Sequence, residues 1–149
     1  MDGTVQYASF WKRFNAYGVD VILLQCVVLA FMFVFFSLPS LEEIVQGSEA
    51  AGNWFDNFTN LNIALSAVYN ILMVSGRWQA TLGKRSLHCL VVTKEGARLT
   101  LQQSAIRHLA SGISMLLGGL GYITVFFNPE KAALHDILCN TRVIVGKIE

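Results

Sequence analysis

Apolar and polar positions divide this chain into three long apolar stretches joined by polar connections. Residues 17–38 contain Asp20 and Gln25 as their strongly polar members, and a helix of that length is about 33 Å long, enough to cross a bilayer with slight tilt. Pro39 follows directly. The connection 39–56 carries Glu42, Glu43, Glu49 and Asp56 without a Lys or Arg, which predicts the translocated side of the membrane. A second stretch, 59–75, is shorter and includes Asn62, Ser66, Tyr69 and Asn70, so protein must cover one of its faces. Residues 76–105 then hold Arg77, Lys84, Arg85, Lys94 and Arg98 against the single acid Glu95. The positive-inside rule makes this connection cytoplasmic, and the N-terminus with it.

Within the basic connection, Leu and Val crowd 87–93, Glu95-Gly96 offers a tight turn, and 98–101 alternates again. The pattern predicts a small β-hairpin over about 86–101. Thr100 and Gln103 stand at capping-box spacing, so a third helix should begin near Leu101. Ser104, Arg107, His108, Ser111 and Ser114 stripe one side of its first half, opposite Ile106, Leu109 and Ile113. Two arrangements fit 105–127. Either one helix crosses with the stripe turned inward, or the chain breaks at Gly118, Gly119 and Gly121 into a re-entrant hairpin. In the tail, Lys131, Arg142 and Lys147 favour the cytoplasm, where 141–145 would add a strand to the hairpin; a single crossing would put it outside. The expected fold is a single-domain, all-α membrane protein of three transmembrane helices, the third glycine-interrupted, with a small cytoplasmic β-hairpin.

Composition agrees with lipid as the solvent. Of 149 residues, 54% are hydrophobic and 14% charged, against roughly 25% charged in an average soluble domain. A net charge of +1 excludes the broad basic field that nucleic acid requires. Cys26, Cys89 and Cys139 lie far apart, in no disulfide or zinc-ligand spacing. Tyr7, Phe10, Trp11, Trp54, Phe55 and Trp78 flank the spans as interface anchors.

Asp20 is the sharpest chemical feature, because a carboxylate inside an apolar helix costs several kcal/mol unless it is paired, protonated or hydrated. Arg13, seven residues earlier, returns to nearly the same helical face; Asn70 and Ser66 of the second span are candidate neighbours, and Arg107 a further one. Asp20 is read either as a polar clamp fixing helix packing or as an ion or proton site. His88, His108 and the pair His135 and Cys139 are metal-ligand types, but without a second close pair they read as core or surface residues, and no metal is expected. The chain has no G-x-S-x-G, H-E-x-x-H, phosphate loop or dinucleotide fingerprint, so neither enzyme chemistry nor a cofactor is expected.

Three blocks in order resemble the RDD family of small bacterial integral membrane proteins, named for one arginine and two aspartates. The opening block is Tyr7-Ala8-Ser9-Phe10-Trp11-Lys12-Arg13-Phe14 leading to Asp20. The central block is Trp78-Gln79-Ala80-Thr81-Leu82-Gly83-Lys84-Arg85, running into Leu90-Val91-Val92 and Glu95-Gly96. Leu134-His135-Asp136 and Thr141-Arg142-Val143-Ile144-Val145 close it. The resemblance implies Arg13, Asp20 and Asp136 as the family's arginine and aspartates, and a multi-pass protein of the bacterial inner membrane with a role in transport. Ion or proton exchange has been proposed for members.

Two functions follow as expectations. In the first, Asp20 alternates between protonated and charged forms in a transporter or transport component, with Arg13 setting its pKa; three spans enclose little, so a homo-oligomer or partner subunits are required. In the second, the chain is a non-catalytic accessory subunit that stabilises a larger membrane complex, and the three named residues form an internal polar lock.

Overall fold

The computed structural model describes residues 6–116 and 120–146. Nine elements follow one another among them: α1 (Phe10–Phe35), α2 (Leu41–Val45), α3 (Glu49–Ser75), α4 (Leu82–Ser86), β1 (Cys89–Thr93), α5 (Leu101–Leu116), α6 (Leu120–Phe127), α7 (Leu134–Leu138) and β2 (Thr141–Val145). Helices α1 and α3 are each long and apolar enough to cross a membrane. Both begin upstream of the apolar stretches, where hydroxyls cap them: Lys12 N–H donates to Ser9 Oγ, and Ala51 N–H to Ser48 Oγ. Between them, Ser40 and Glu43 form a reciprocal capping box that starts α2 just after Pro39.

The third apolar stretch is bent. Helices α5 and α6 meet at 96°, a broken span or a re-entrant loop rather than one straight crossing. Gly121 permits the close approach, since a Cβ there would lie 2.6 Å from Ser114 Oγ and 3.3 Å from Leu134 Cβ. Gly118 and Gly119 lie outside the described residues. The capping box stands as expected, with Thr100 N–H donating to Gln103 Oε1 at 2.9 Å and Gln103 N–H to Thr100 Oγ1 at 3.2 Å.

A two-stranded antiparallel sheet is present, but its partner strand corrects the expected hairpin. β1 pairs with β2, Cys89 opposite Val145 and Thr93 opposite Thr141, and not with 98–101. The turn at Glu95-Gly96 does form, with Gly96 at φ +83° and Thr93 N–H donating to Ala97 O at 2.8 Å. Pairing then stops because Leu99 is drawn into the core and Thr100 is committed to capping α5. The other edge of β2 is covered by the N-terminal segment: Ala8 N–H donates to Val143 O, and Val145 N–H to Gln6 O.

The chain divides into two compact units. One holds Val21–Val68, where Gln25 Nε2 donates to Asn62 Oδ1 at 2.8 Å and ties α1 to α3 through the polar face expected of the second span. The other comprises the chain up to Asp20 with Tyr69 onward. Its core is Ala8, Val74, Cys89, Val91, Leu99 and Val143, apolar residues of the sheet and the elements against it. The α5 stripe turns toward this unit, with Ser104, Arg107 and Ser114 buried, while Ile106, Leu109 and Ile113 on the opposite side stay exposed.

Candidate functional site

Within that second unit, ionisable residues from distant parts of the sequence converge. Asp136, in the first turn of α7, is fully buried. Arg13 of α1 donates from Nη1 to its Oδ2, and Arg107 of α5 donates from Nη2 to its Oδ1 at 2.6 Å and from Nε at 3.0 Å. Arg13 also donates to the carbonyls of Ala8 and Lys131, at 3.2 and 2.7 Å. The carboxylate further accepts from the backbone N–H of Ala133, so it starts α7 as well as joining two helices. Burial alone would raise the Asp136 pKa, but Arg107 and Arg13 outweigh it and hold the carboxyl well below the usual carboxylate range.

His135 beside it is buried with its ring edge-on to Tyr122, centroids 5.1 Å apart. Its Nε2 lies 3.5 Å from Asp136 Oδ1, and its Nδ1 has no hydrogen-bond partner among the described residues. Burial pushes this imidazole down to about 4, against the attraction of Asp136, so it is neutral at pH 7.

Asp20 is held apart from these guanidiniums. It is 5% exposed and accepts from Tyr69 Oη at 2.7 Å, from Thr81 Oγ1 at 2.5 Å and from the Gly83 N–H at 2.7 Å. Tyr69 Oη in turn accepts from Leu82 N–H at 2.8 Å. This corrects the expected coupling of Arg13 to Asp20: the two share α1, yet Arg13 is engaged by Asp136, and neutral donors satisfy Asp20. Thr81 caps α4, and Gly83 has no room for a side chain, because a Cβ would run into the Ala16 carbonyl oxygen and lie 2.8 Å from Asp20 Cγ.

A cavity of about 400 Å³ is bounded by residues of α1, α3, α4, α5, α6 and α7. Arg13, Lys84, Arg107, His108 and His135 line it, with Asn70, Ser104, Ser111 and Tyr122. Asn70, expected as a neighbour of Asp20, lines the cavity wall. Ser66 falls in the other compact unit, where its hydroxyl donates to Ile63 O at 3.1 Å. Lys84 Nζ donates to Thr81 Oγ1 at 3.3 Å, and burial lowers its ammonium to about 8.

Arg13, Arg107, His135 and Asp136 are thus brought together and Asp20 forms a second centre nearby. The donors to Asp20 escaped the sequence reading. Thr81 was findable, since Thr followed by Leu-Gly-Lys is a helix-start signal; Tyr69 was visible as a polar member of the second span, but its partner was not. Lys84 looked like one of several surface cations.

The chain resembles known proteins along nearly its whole length. Residues 7–140 match the RDD family. The chain is 30% identical over 151 residues to "Uncharacterized protein YxaI" of Bacillus subtilis (strain 168), covering 92% of this chain and 96% of that protein. It is 26% identical over 149 residues to "Uncharacterized membrane protein YteJ" of the same organism, covering 97% of this chain and 85% of that one. No solved structure matches it. With two apolar helices of membrane-crossing length, one bent helix pair beside them, and Arg13, Asp20 and Asp136 each built into a buried polar centre, this chain is a membrane protein and belongs to the RDD family.

Proposed function

We propose that this protein is a multi-pass component of the bacterial inner membrane that helps move a small solute or ion and carries out no covalent chemistry. The observation that supports this reading is the cavity, which joins apolar residues of the candidate spans to a cluster of cations. Its volume falls within the range of small-molecule sites, roughly 300–1,000 Å³. Three spans enclose little, so a second copy or a larger partner completes the path. The basic connection 76–105 faces the cytoplasm, and the N-terminus with it. In this reading Asp20 is a clamp, its charge occupied by three donors, and the solute meets Arg13, Lys84 and Arg107 instead.

The test is flux. Purified protein in liposomes containing a pH-sensitive dye is challenged with chloride, phosphate or short-chain carboxylate gradients. Protein-dependent dissipation of at least one gradient is expected, reduced severalfold by Lys84→Gln; Asp20→Asn should lower the yield of folded protein rather than select among solutes. No flux under any gradient overturns the reading and favours the accessory subunit, which a stable membrane partner retained through gentle detergent extraction would then identify.

A further inference from the structure

The cavity wall is unbalanced in sign. Among the described residues Arg13, Lys84 and Arg107 line it, and no Asp or Glu does. Two carboxylates stand behind the wall, Asp136 bonded to both guanidiniums and Asp20 occupied by its three donors. Three cations against two acids leave one positive charge uncompensated. Among the described residues Lys84 forms no ion pair, and its bond to Thr81 uses one of three ammonium donors. A half-buried ammonium without a bonded counter-charge is costly, and an incoming anion would relieve that cost. The depressed Lys84 pKa, set first by burial, has the same origin. Each guanidinium also keeps N–H donors beyond those it gives to Asp136 and its neighbours.

The remainder of the wall is apolar, with Phe10, Phe14, Met115 and Phe126 prominent. Phe14 and Tyr17, on the wall and on a candidate span, are 56% and 52% exposed, so the mouth opens along the surface of α1 that acyl chains would touch. Cations that are buried or half-buried, beside the exposed rings of Phe14, Tyr17 and Phe126, suit a ligand with a charged head and a hydrocarbon tail.

We propose that this cavity binds a single-chain amphipathic anion, its carboxylate or phosphate held by Lys84 with N–H groups of Arg107 and Arg13, and its alkyl chain against Phe10, Phe14 and Phe126. The inference rests on the transport reading only for the claim that this ligand is cargo; binding itself is measured without flux, so the two fail separately.

The experiment is equilibrium binding of radiolabelled decyl phosphate to the full chain in phosphatidylcholine nanodiscs, with protein-free nanodiscs as the blank. Saturable binding above the blank is expected, displaced by decanoate but not by equal concentrations of decanol, decyltrimethylammonium or inorganic phosphate. Lys84→Gln should weaken it about tenfold or more, the size of a lost charge-assisted bond, while Lys84→Arg retains most of it. Ser111→Phe, which fills the cavity and leaves every cation in place, should abolish binding. Displacement by decanol or decyltrimethylammonium as strong as by decanoate, or unchanged binding to Ser111→Phe, overturns the proposal. Equal displacement by inorganic phosphate overturns its amphipathic half. If Lys84→Gln fails to fold, the competitors and Ser111→Phe still decide.

Discussion

Asp136 is a fully buried carboxylate that stays ionised because two guanidiniums reach it from separate helices. Removing its charge leaves both cations buried and unneutralised, which costs far more than the pair contributes when intact. Asp136→Asn should therefore lose about 3–5 kcal/mol of stability, read as a large drop in the thermal unfolding midpoint in detergent. Its neighbour sets a pH dependence. Folding holds His135 neutral by lowering its pKa from 6.5 to about 4, so the unfolded chain takes up that proton first as pH drops. Stability linked to this group is fully present above pH 6.5 and lost as pH falls toward 4, by up to about 3 kcal/mol. Asp136, depressed from 3.8, adds a loss of the same sign at still lower pH. Unfolding midpoints at pH 7.5, 6 and 5 should decline in order, and His135→Gln should flatten that decline.

At the scale of elements, two glycines make opposite predictions. Gly83 brings α4 against α1 with no space for a methyl group, so Gly83→Ala must displace α4 or the carboxylate of Asp20; overpacking of this kind costs about 1–3 kcal/mol, and the lost Gly83 N–H bond to Asp20 adds to it. Gly18 lies on α1 with nothing within 4 Å of a Cβ, and Gly18→Ala should be neutral or stabilising by about 0.4–1 kcal/mol. Unfolding of the two variants in one detergent checks both. What the sequence disclosed of these elements follows the range of the forces involved. Apolar runs reveal α1 and α3, and the Thr100–Gln103 box marks the start of α5, because those signals act within a few residues. The donors to Asp20 come from 49 to 63 residues away in sequence, and spacing carries no record of such pairings, whereas 141–145, expected as an added strand of the hairpin, is the strand β1 pairs with directly. Arg13 and Asp136 were named through family resemblance; that they bind each other, with Arg107 as the second cation, required the folded chain.

For the whole molecule, the medium decides stability. Large apolar side chains stand exposed along α1 and on the outer side of α5, including Phe33, Val34, Leu109, Ile113 and Leu116, a surface that water would penalise and lipid would not. Membranes containing the protein should retain it through alkaline carbonate washing, and detergent should be required to release it; recovery in the soluble fraction would contradict the assignment of α1 and α3 as spans. Another consequence arises from the edge of β2, where Gln6 and Ala8 are bonded to Val145 and Val143. A nascent chain emerges from the ribosome in order, so Arg13 waits unneutralised at the membrane until almost everything after it has been made. Any stop codon ahead of Asp136 would leave the first helix with an orphan cation, giving quality-control proteases an early and specific target.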